Sequence, residues 1–555
     1  MGRVPARLDT RALAAGKPVS ATLAQTAMVA ALRRALRAQQ PACEVALIET
    51  HISYVLLAAG LAYKIKKAVN LGFVDFTTLA LRRHYCDEEL RLNRRLAPAL
   101  YLDVVAVTGS SVQPAFGGDG PVIDWAVRMR AFAQDGLWDR LATRGELQAA
   151  HIDALADVLC AFHAGAAVAG PADGFGHAEQ VRGPMHETIR TLDALCTATD
   201  ECASLAELRR WEAQAFDALR STFDQRLRDG RVRECHGDLH LGNVTQIDGQ
   251  ATVFDCLEFS PALRWTDVIS DVAFMAMDLH AHGLARLSHR FVNAYVERSG
   301  DHAGLRVLRY HAVYRALVRA KVAALRVAQL GADASPAERD GASSALCRYL
   351  DAALASSGHA APVLMLTHGC SGSGKTALTQ TLLERCGAVR IRADVERKRL
   401  FGLPALARSA PAFKLRLYSN EATDATQARL RELAELVLRS GHSVILDATF
   451  LAYPQREQAR ALADELGVGF VILDFRASAG TLRERVRQRA LRADDASEAD
   501  LAVLEDQLAN AQPLRPAEEA VTFAFDAEPV LDQAGIEARW APLLQRLGVH
   551  QGKVR

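Results

Sequence analysis

The stretches ECHGDLHLGNV at 234–244 and VFDCLEF at 253–259 bring Asp238, Asn243 and Asp255 close together in the chain. Phosphoryl transfer from ATP needs a base to orient a hydroxyl, and carboxylate or amide oxygens to hold Mg²⁺. Asp238 as base, with Asn243 and Asp255 on the metal, meets that need, and Asp255 ends the apolar strand-like run ATVFD. At 369–376 the chain reads GCSGSGKT, a second and unrelated way to hold ATP. Gly369, Gly374, Lys375 and Thr376 complete the pattern G-x-x-x-x-G-K-[ST]. Backbone amides along Gly369, Cys370, Ser371, Gly372, Ser373 and Gly374 would cradle phosphates at a helix N-terminus. Lys375 would reach the β and γ oxygens, and Thr376 would hold Mg²⁺.

Each device needs elements to position it. An apolar strand, Val363 to Leu366, enters the second loop, and an amphipathic helix leaves it until Gly387 supplies a stop. Asp394 ends the next strand in VRIRADVERKRL, where an open parallel sheet faces its ligand crevice. It could accept the proton of a substrate hydroxyl, or simply cap the following helix. Asp447 ends HSVILDATF and offers the Mg²⁺ shell a carboxylate, again with an N-cap as the alternative. Arg485 and Arg489 lie four apart on one helix face, as a lid over ATP or as a solvated basic face.

The first device is preceded by LAYKIKKAV, a strand in which Lys64 and Lys66 share a face. Glu89 follows Glu88 on the charged helix YCDEELRLNRRLA, stopped by Pro98. Residues 45–70 read as two strands around a turn, and YLDVVAVTG as another that leads to the apolar PVIDWAVRM. From about 137 to 225, and again after the HGDLHLGN loop to about 355, the pattern is helical with no clear strands. The small polar segment ASSGHAAP at 355–362 reads as a linker. Domains are therefore expected at 1–355 and 360–555, the second alternating strand and helix around a parallel sheet.

These residues carry two resemblances. HGDLHLGN with the later Asp255 matches the kinase arrangement D-x-x-x-x-N plus a strand-ending Asp. Its HGD form resembles the aminoglycoside phosphotransferases, which implies an α+β bilobal kinase-like fold with IDWAVRM as the hinge between lobes. The resemblance also implies Lys64 on ATP phosphates and paired with Glu89, Lys66 and Glu88 being the neighbouring alternatives, and Asp271 fixing the catalytic loop. Helix capping is the alternative for Asp271. The glycine-rich loop of such kinases is missing, since THISYVLLAAG has glycine only at its far end. Residues 362–510 resemble the small P-loop kinases that include gluconate kinase, chloramphenicol phosphotransferase and polynucleotide 5′-hydroxyl kinase. That group implies an α/β P-loop fold with Asp394 as base and a helical lid carrying arginines. The whole order resembles bacterial bifunctional aminoglycoside phosphotransferase-like/ATP-binding fusion proteins.

Bulk properties narrow the setting. At 555 residues the chain is too long for one core. Lys+Arg at 66 against Asp+Glu at 65 argues against a general nucleic-acid binder. Ten cysteines form no CxxC pair, which reads as reduced thiols of a cytoplasmic protein. Residues 1–20 show no apolar signal core, position 6 fails the myristoylation pattern, and no apolar run is long enough to cross a bilayer. Arg315, Arg319 and Lys321 on one helix suggest a basic acceptor face, or else arginines facing water. Three readings follow. The first is a two-headed ATP- and Mg²⁺-dependent kinase acting on a small-molecule hydroxyl. The second is a kinase-shaped regulatory module gating a P-loop kinase, and the third a nucleic-acid end-processing kinase. Acceptor and oligomeric state stay open.

Overall fold

The computed structural model describes residues 19–39, 44–72, 74–330, 334–358, 361–410, 413, 416–492 and 496–549. The sequence reading of residues 1–18, and the centre of the linker at 359–360, lie outside the described residues. The chain divides into two compact units, residues 1–147, 162–176 and 226–271 in one, and 148–161, 177–225 and 272–555 in the other.

In the first unit, strands β1 (Ala46–Glu49), β2 (Ser53–Ala58), β3 (Leu61–Lys66), β4 (Tyr101–Gly109), β5 (Pro114–Phe116) and β6 (Val122–Arg130) form one antiparallel sheet in the order β1-β2-β3-β6-β4-β5. What the sequence suggests as two strands over 45–70 is three, because Thr50 turns the chain back by bonding Ser53 through both N–H and hydroxyl. IDWAVRM is no hinge. It lies inside β6, hydrogen-bonded on both sides, with Ala126 and Val127 wholly buried. A continuous alternation of apolar residues suits a central strand better than a bend. Met28, Val29, Leu32 and Leu36 of the Val19–Gln39 helix pack with Tyr54, Leu56, Ile65 and Ala126 in one core. The Leu79–Asn93 helix, capped by Thr78 on Leu81 N–H at 3.1 Å, packs on β4 and β6 and carries Glu89 inward.

The same unit holds β7 (Val232–Glu234), β8 (Val244–Ile247), β9 (Gln250–Val253) and β10 (Trp265–Asp267). β7 pairs with β10 and β8 with β9, both antiparallel, so the loop at 235–243 is pinned at each end.

The second unit contains β11 (Val363–His368), β12 (Val389–Arg392), β13 (Val444–Asp447), β14 (Gly469–Arg476) and β15 (Thr522–Asp526). They form a parallel sheet in the order β12-β13-β11-β14-β15, with Met365, Ile445, Leu473, Phe525 and Trp540 in its core. The Ala285–Ser299 helix packs against the Lys375–Cys386 helix and β12. Among the described residues no helix is long and apolar enough to cross a membrane. The nine described cysteines are free thiols.

Candidate active sites

In the first unit, β3 and the Leu79–Asn93 helix bring Lys64 Nζ to 2.8 Å from Glu89 Oε1, and the chain after β9 brings Asp255 Oδ1 to 2.5 Å from the same ammonium. Burial works against the Lys64 charge, yet Asp255 and Glu89 outweigh it and hold its pKa well above the usual value. Burial also opposes ionisation of Glu89, but Lys64 and Lys66 pull it down to about 2. Asp255 has a left-handed φ of 60° and donates its N–H to Tyr101 Oη at 3.2 Å. A non-glycine residue in that region is strained, and such strain persists only where the surroundings over-determine it.

The 235–243 loop is built on one carboxylate. Asp271, in the first turn of the Val268–Ala281 helix, accepts His236 N–H at 2.8 Å and Gly237 N–H at 3.0 Å. His163 Nε2 lies 3.3 Å from the same group. Gly237 has φ 83°, and a Cβ there would stand 3.2 Å from Arg264 Cα, so only glycine fits. The turn presents Asp238. Asn243 Nδ2 bonds the Asp238 carbonyl at 2.9 Å and its carboxylate at 3.2 Å, so the Asn243 side-chain oxygen is not the atom that holds the loop. Asp255, Asn243 and Asp238 offer only hard oxygen donors, the set that suits Mg²⁺.

In the second unit, Gly369, Gly372 and Gly374 have φ of 136°, 86° and 81°. A Cβ on Gly369 would lie 2.7 Å from Phe475 O, and on Gly372 2.8 Å from Leu482 O, so this loop admits no side chain at either point. Lys375 Nζ bonds the carbonyls of Gly369 at 2.8 Å and Cys370 at 2.9 Å, and burial lowers its pKa. Ser373 Oγ is 3.4 Å from the same ammonium, and Ser371 N–H bonds Gln507 Oε1 at 2.8 Å. Thr376 Oγ1 donates to Asp447 Oδ2 at 2.7 Å, a hydroxyl and carboxylate pair fit for Mg²⁺. β12 ends at Arg392 rather than Asp394. Asp394 is the second residue of the Ala393–Leu400 helix, whose N-cap is Arg392, so it is not the cap. The Ala479–Arg492 helix rests on the loop through Leu482 and Val486. Its two arginines diverge in their contacts. Arg489 Nη2 bonds Ala499 O at 2.8 Å and acts on Lys375 as a like charge, whereas Arg485 Nη2 bonds Glu528 O at 3.3 Å. The basic-face expectation also changes. Arg315 is 4 % exposed, with its guanidinium 5.0 Å from the Phe274 ring centre.

Residues 79–308 match a family described as phosphotransferase enzyme family, and residues 364–514 one described as AAA domain. An uncharacterized protein of Mycobacterium tuberculosis strain H37Rv is 33 % identical over 447 residues, covering 80 % of this chain and 86 % of that protein. The chain belongs to the bacterial aminoglycoside phosphotransferase-like/P-loop kinase fusion family. An uncharacterized protein of Mycobacterium bovis matches this fusion protein to the same extent. Among solved structures, a choline/ethanolamine kinase family protein from Mesorhizobium loti is 14 % identical, covering 59 % of this chain and 99 % of that one, with a TM-score of 0.34. A gluconokinase from Sinorhizobium meliloti is 22 % identical, covering 34 % and 97 %, with a TM-score of 0.25. The phosphotransferase family match goes with the antiparallel sheet of this chain, and the P-loop match with its parallel one.

In the fusion protein both lysines of the shared strand face are used, and further residues join them. Lys66 is wholly buried and shares Glu89 with Lys64, which their common strand face had allowed. Glu258, three residues after Asp255, is its other partner. Arg390 donates from Nη1 to Thr376 O at 2.6 Å, while its own N–H is held at 2.8 Å by Asn293 of the Ala285–Ser299 helix. No local spacing points to Asn293, because its partner lies 97 residues away.

Proposed function

We propose that the chain is an ATP-dependent phosphotransferase with two nucleotide-binding domains, which transfers phosphate to a hydroxyl of a small molecule in the cytoplasm. The domains are taken as 1–355 and 360–555. The observation that carries this reading is the convergence on Lys64 of Glu89 and Asp255, the latter 191 residues away, beside the Asp238–Asn243 loop. In the first domain Asp238 accepts the hydroxyl proton, Lys64 binds ATP phosphate with Glu89 orienting it, and Asn243 and Asp255 hold Mg²⁺. In the second, the 369–376 loop binds phosphates, Lys375 reaches the transferred group, and Asp394 serves as base. There Thr376 and Asp447 hold Mg²⁺, and Arg489, with Arg485 behind it, closes over the nucleotide. Mg²⁺ neutralises charge on the phosphoryl oxygens when bound.

Calorimetry of Mg²⁺-ATP binding tests the reading in the wild type, Lys375→Ala and Asp255→Ala. Two sites are expected, with each variant losing one. A single site, removed by Lys375→Ala alone, overturns it. That result would favour the second reading, in which the first domain is a kinase-shaped module gating the P-loop kinase. The glycine-free β1–β2 turn at Thr50–Ile52, where a phosphate-covering loop is expected, supports this alternative.

A further inference from the structure

Two lysines converge on Glu89. They lie two apart on β3, so both side chains leave one face of the sheet. Lys64 takes Glu89 Oε1 at 2.8 Å and Asp255 Oδ1 at 2.5 Å, while Lys66 takes Glu89 Oε2 at 2.7 Å and pairs with Glu258. The two pairs differ in what covers them. The Lys66 and Glu89 side chains are 0 % exposed and that of Glu258 5 %, against 12 % for Lys64 and 42 % for Asp255. Phe76 covers Lys66 further, its ring centre 5.1 Å from Nζ. The inner pair is sealed; the outer pair opens to solvent.

The charges impose an order on this site. A divalent cation on Asp255 and the Lys64 ammonium repel, so the two compete for one carboxylate. Lys64 can leave only if Glu89, wholly buried, keeps a counterion, because an unpaired buried carboxylate is strongly disfavoured. Lys66 supplies that counterion, and Glu258 holds Lys66 in turn.

We propose that Lys66 and Glu258 form a permanent clamp on Glu89, which frees Lys64 to move from Asp255 to nucleotide phosphate. Lys64 thereby guards the metal position at Asp255 until nucleotide arrives. The proposal rests on the roles given to Lys64 and Asp255 above. Lys66 is a positioning residue, acting through Glu89 rather than on nucleotide.

The test is Mn²⁺ binding measured by electron paramagnetic resonance, without nucleotide and with ADP. It uses the full chain carrying Lys375→Ala to silence the second nucleotide site. Without nucleotide, adding Lys64→Met should tighten Mn²⁺ binding about tenfold, the effect of removing one competing nearby cation, and Asp255→Ala should erase that gain. In the chain with Lys64 intact, ADP should tighten Mn²⁺ binding by a similar factor. Lys66→Met and the milder Glu258→Gln should each shrink this ADP-dependent gain, a readout that loss of stability alone does not move. An unchanged nucleotide-free affinity in Lys64→Met overturns the proposal alone, as does an unaltered ADP gain in both clamp variants. Absence of ADP binding in the Lys375→Ala chain overturns the nucleotide reading of the first domain and the proposal with it.

Discussion

His236 shows how one buried side chain ties loop geometry to pH. Its Nε2–H donates to Phe254 O at 2.9 Å, and its Nδ1 accepts Asp238 N–H at 3.2 Å, so both contacts use the neutral ring. Burial pushes its pKa below the ordinary imidazole value, although Asp271 and Asp238 oppose this. The unfolded chain takes up a proton near pH 6.5, where the folded chain does not. The contribution to stability is therefore present above about pH 6.5 and lost as the pH falls toward the folded value. Urea unfolding between pH 7.5 and 5 should show that decline, and His236→Asn should flatten part of it. The flattening is partial because burial lowers His280, His289 and His302 in the same direction. Glu89, at about 2, adds a second decline below the unfolded carboxylate value, about pH 4.3. At Asp238, replacement by Asn keeps the shape and removes the carboxylate proposed as base. Mg²⁺-ATP affinity should hold, while phosphate transfer from labelled ATP into a metabolite extract by the Lys375→Ala chain falls roughly 10²–10⁴-fold.

At the scale of elements, two devices set the second site. The phosphate loop is held down by the Ala479–Arg492 helix, and Gly372 is the point of closest approach, 2.8 Å from Leu482 O to a built Cβ. Gly372→Ala meets both that carbonyl and an unfavourable φ, a strain of about 1–3 kcal/mol. Calorimetry on an Asp255→Ala background should show ATP affinity at this site falling by at least an order of magnitude. The Ala285–Ser299 helix is the other device. Asn293 accepts the Arg390 N–H, Arg290 bridges Asp153 and Glu384, and His289 Nδ1 meets Glu384 O at 2.9 Å. Asn293→Leu leaves a buried N–H without its acceptor, which destabilises by about 1–3 kcal/mol in urea unfolding. The Asn293–Arg390 contact was not legible beforehand. The spacing around Lys64 and Glu89 revealed a pair because strand and helix are consecutive, whereas Asn293 and Arg390 meet only after the sheet and helices pack.

For the whole molecule, the compact unit holding the P-loop sheet also takes in residues 148–161, 177–225 and 272–358. A fragment of residues 361–555 loses Asn293, Arg290 and Arg286 and uncovers the faces that the Ala285–Ser299 helix packs against. It should melt below the full chain by differential scanning calorimetry. Linker composition alone predicts independence instead, because it reports where the backbone is polar and small, not what packs across it. Two phosphate-handling motifs are legible in the chain alone, because HGDLHLGN and GCSGSGKT are short runs whose residues sit at set intervals. The sequence also determined the parallel sheet from its alternating strands and helices. Which lysine is sealed and which lies at the solvent edge emerges only on folding, as does the like charge of Arg489 on Lys375. The tertiary structure alone set the Ala285–Ser299 helix under β12. These are contacts between residues far apart in the chain. They arise from burial and charge pairing in three dimensions, which no local spacing encodes.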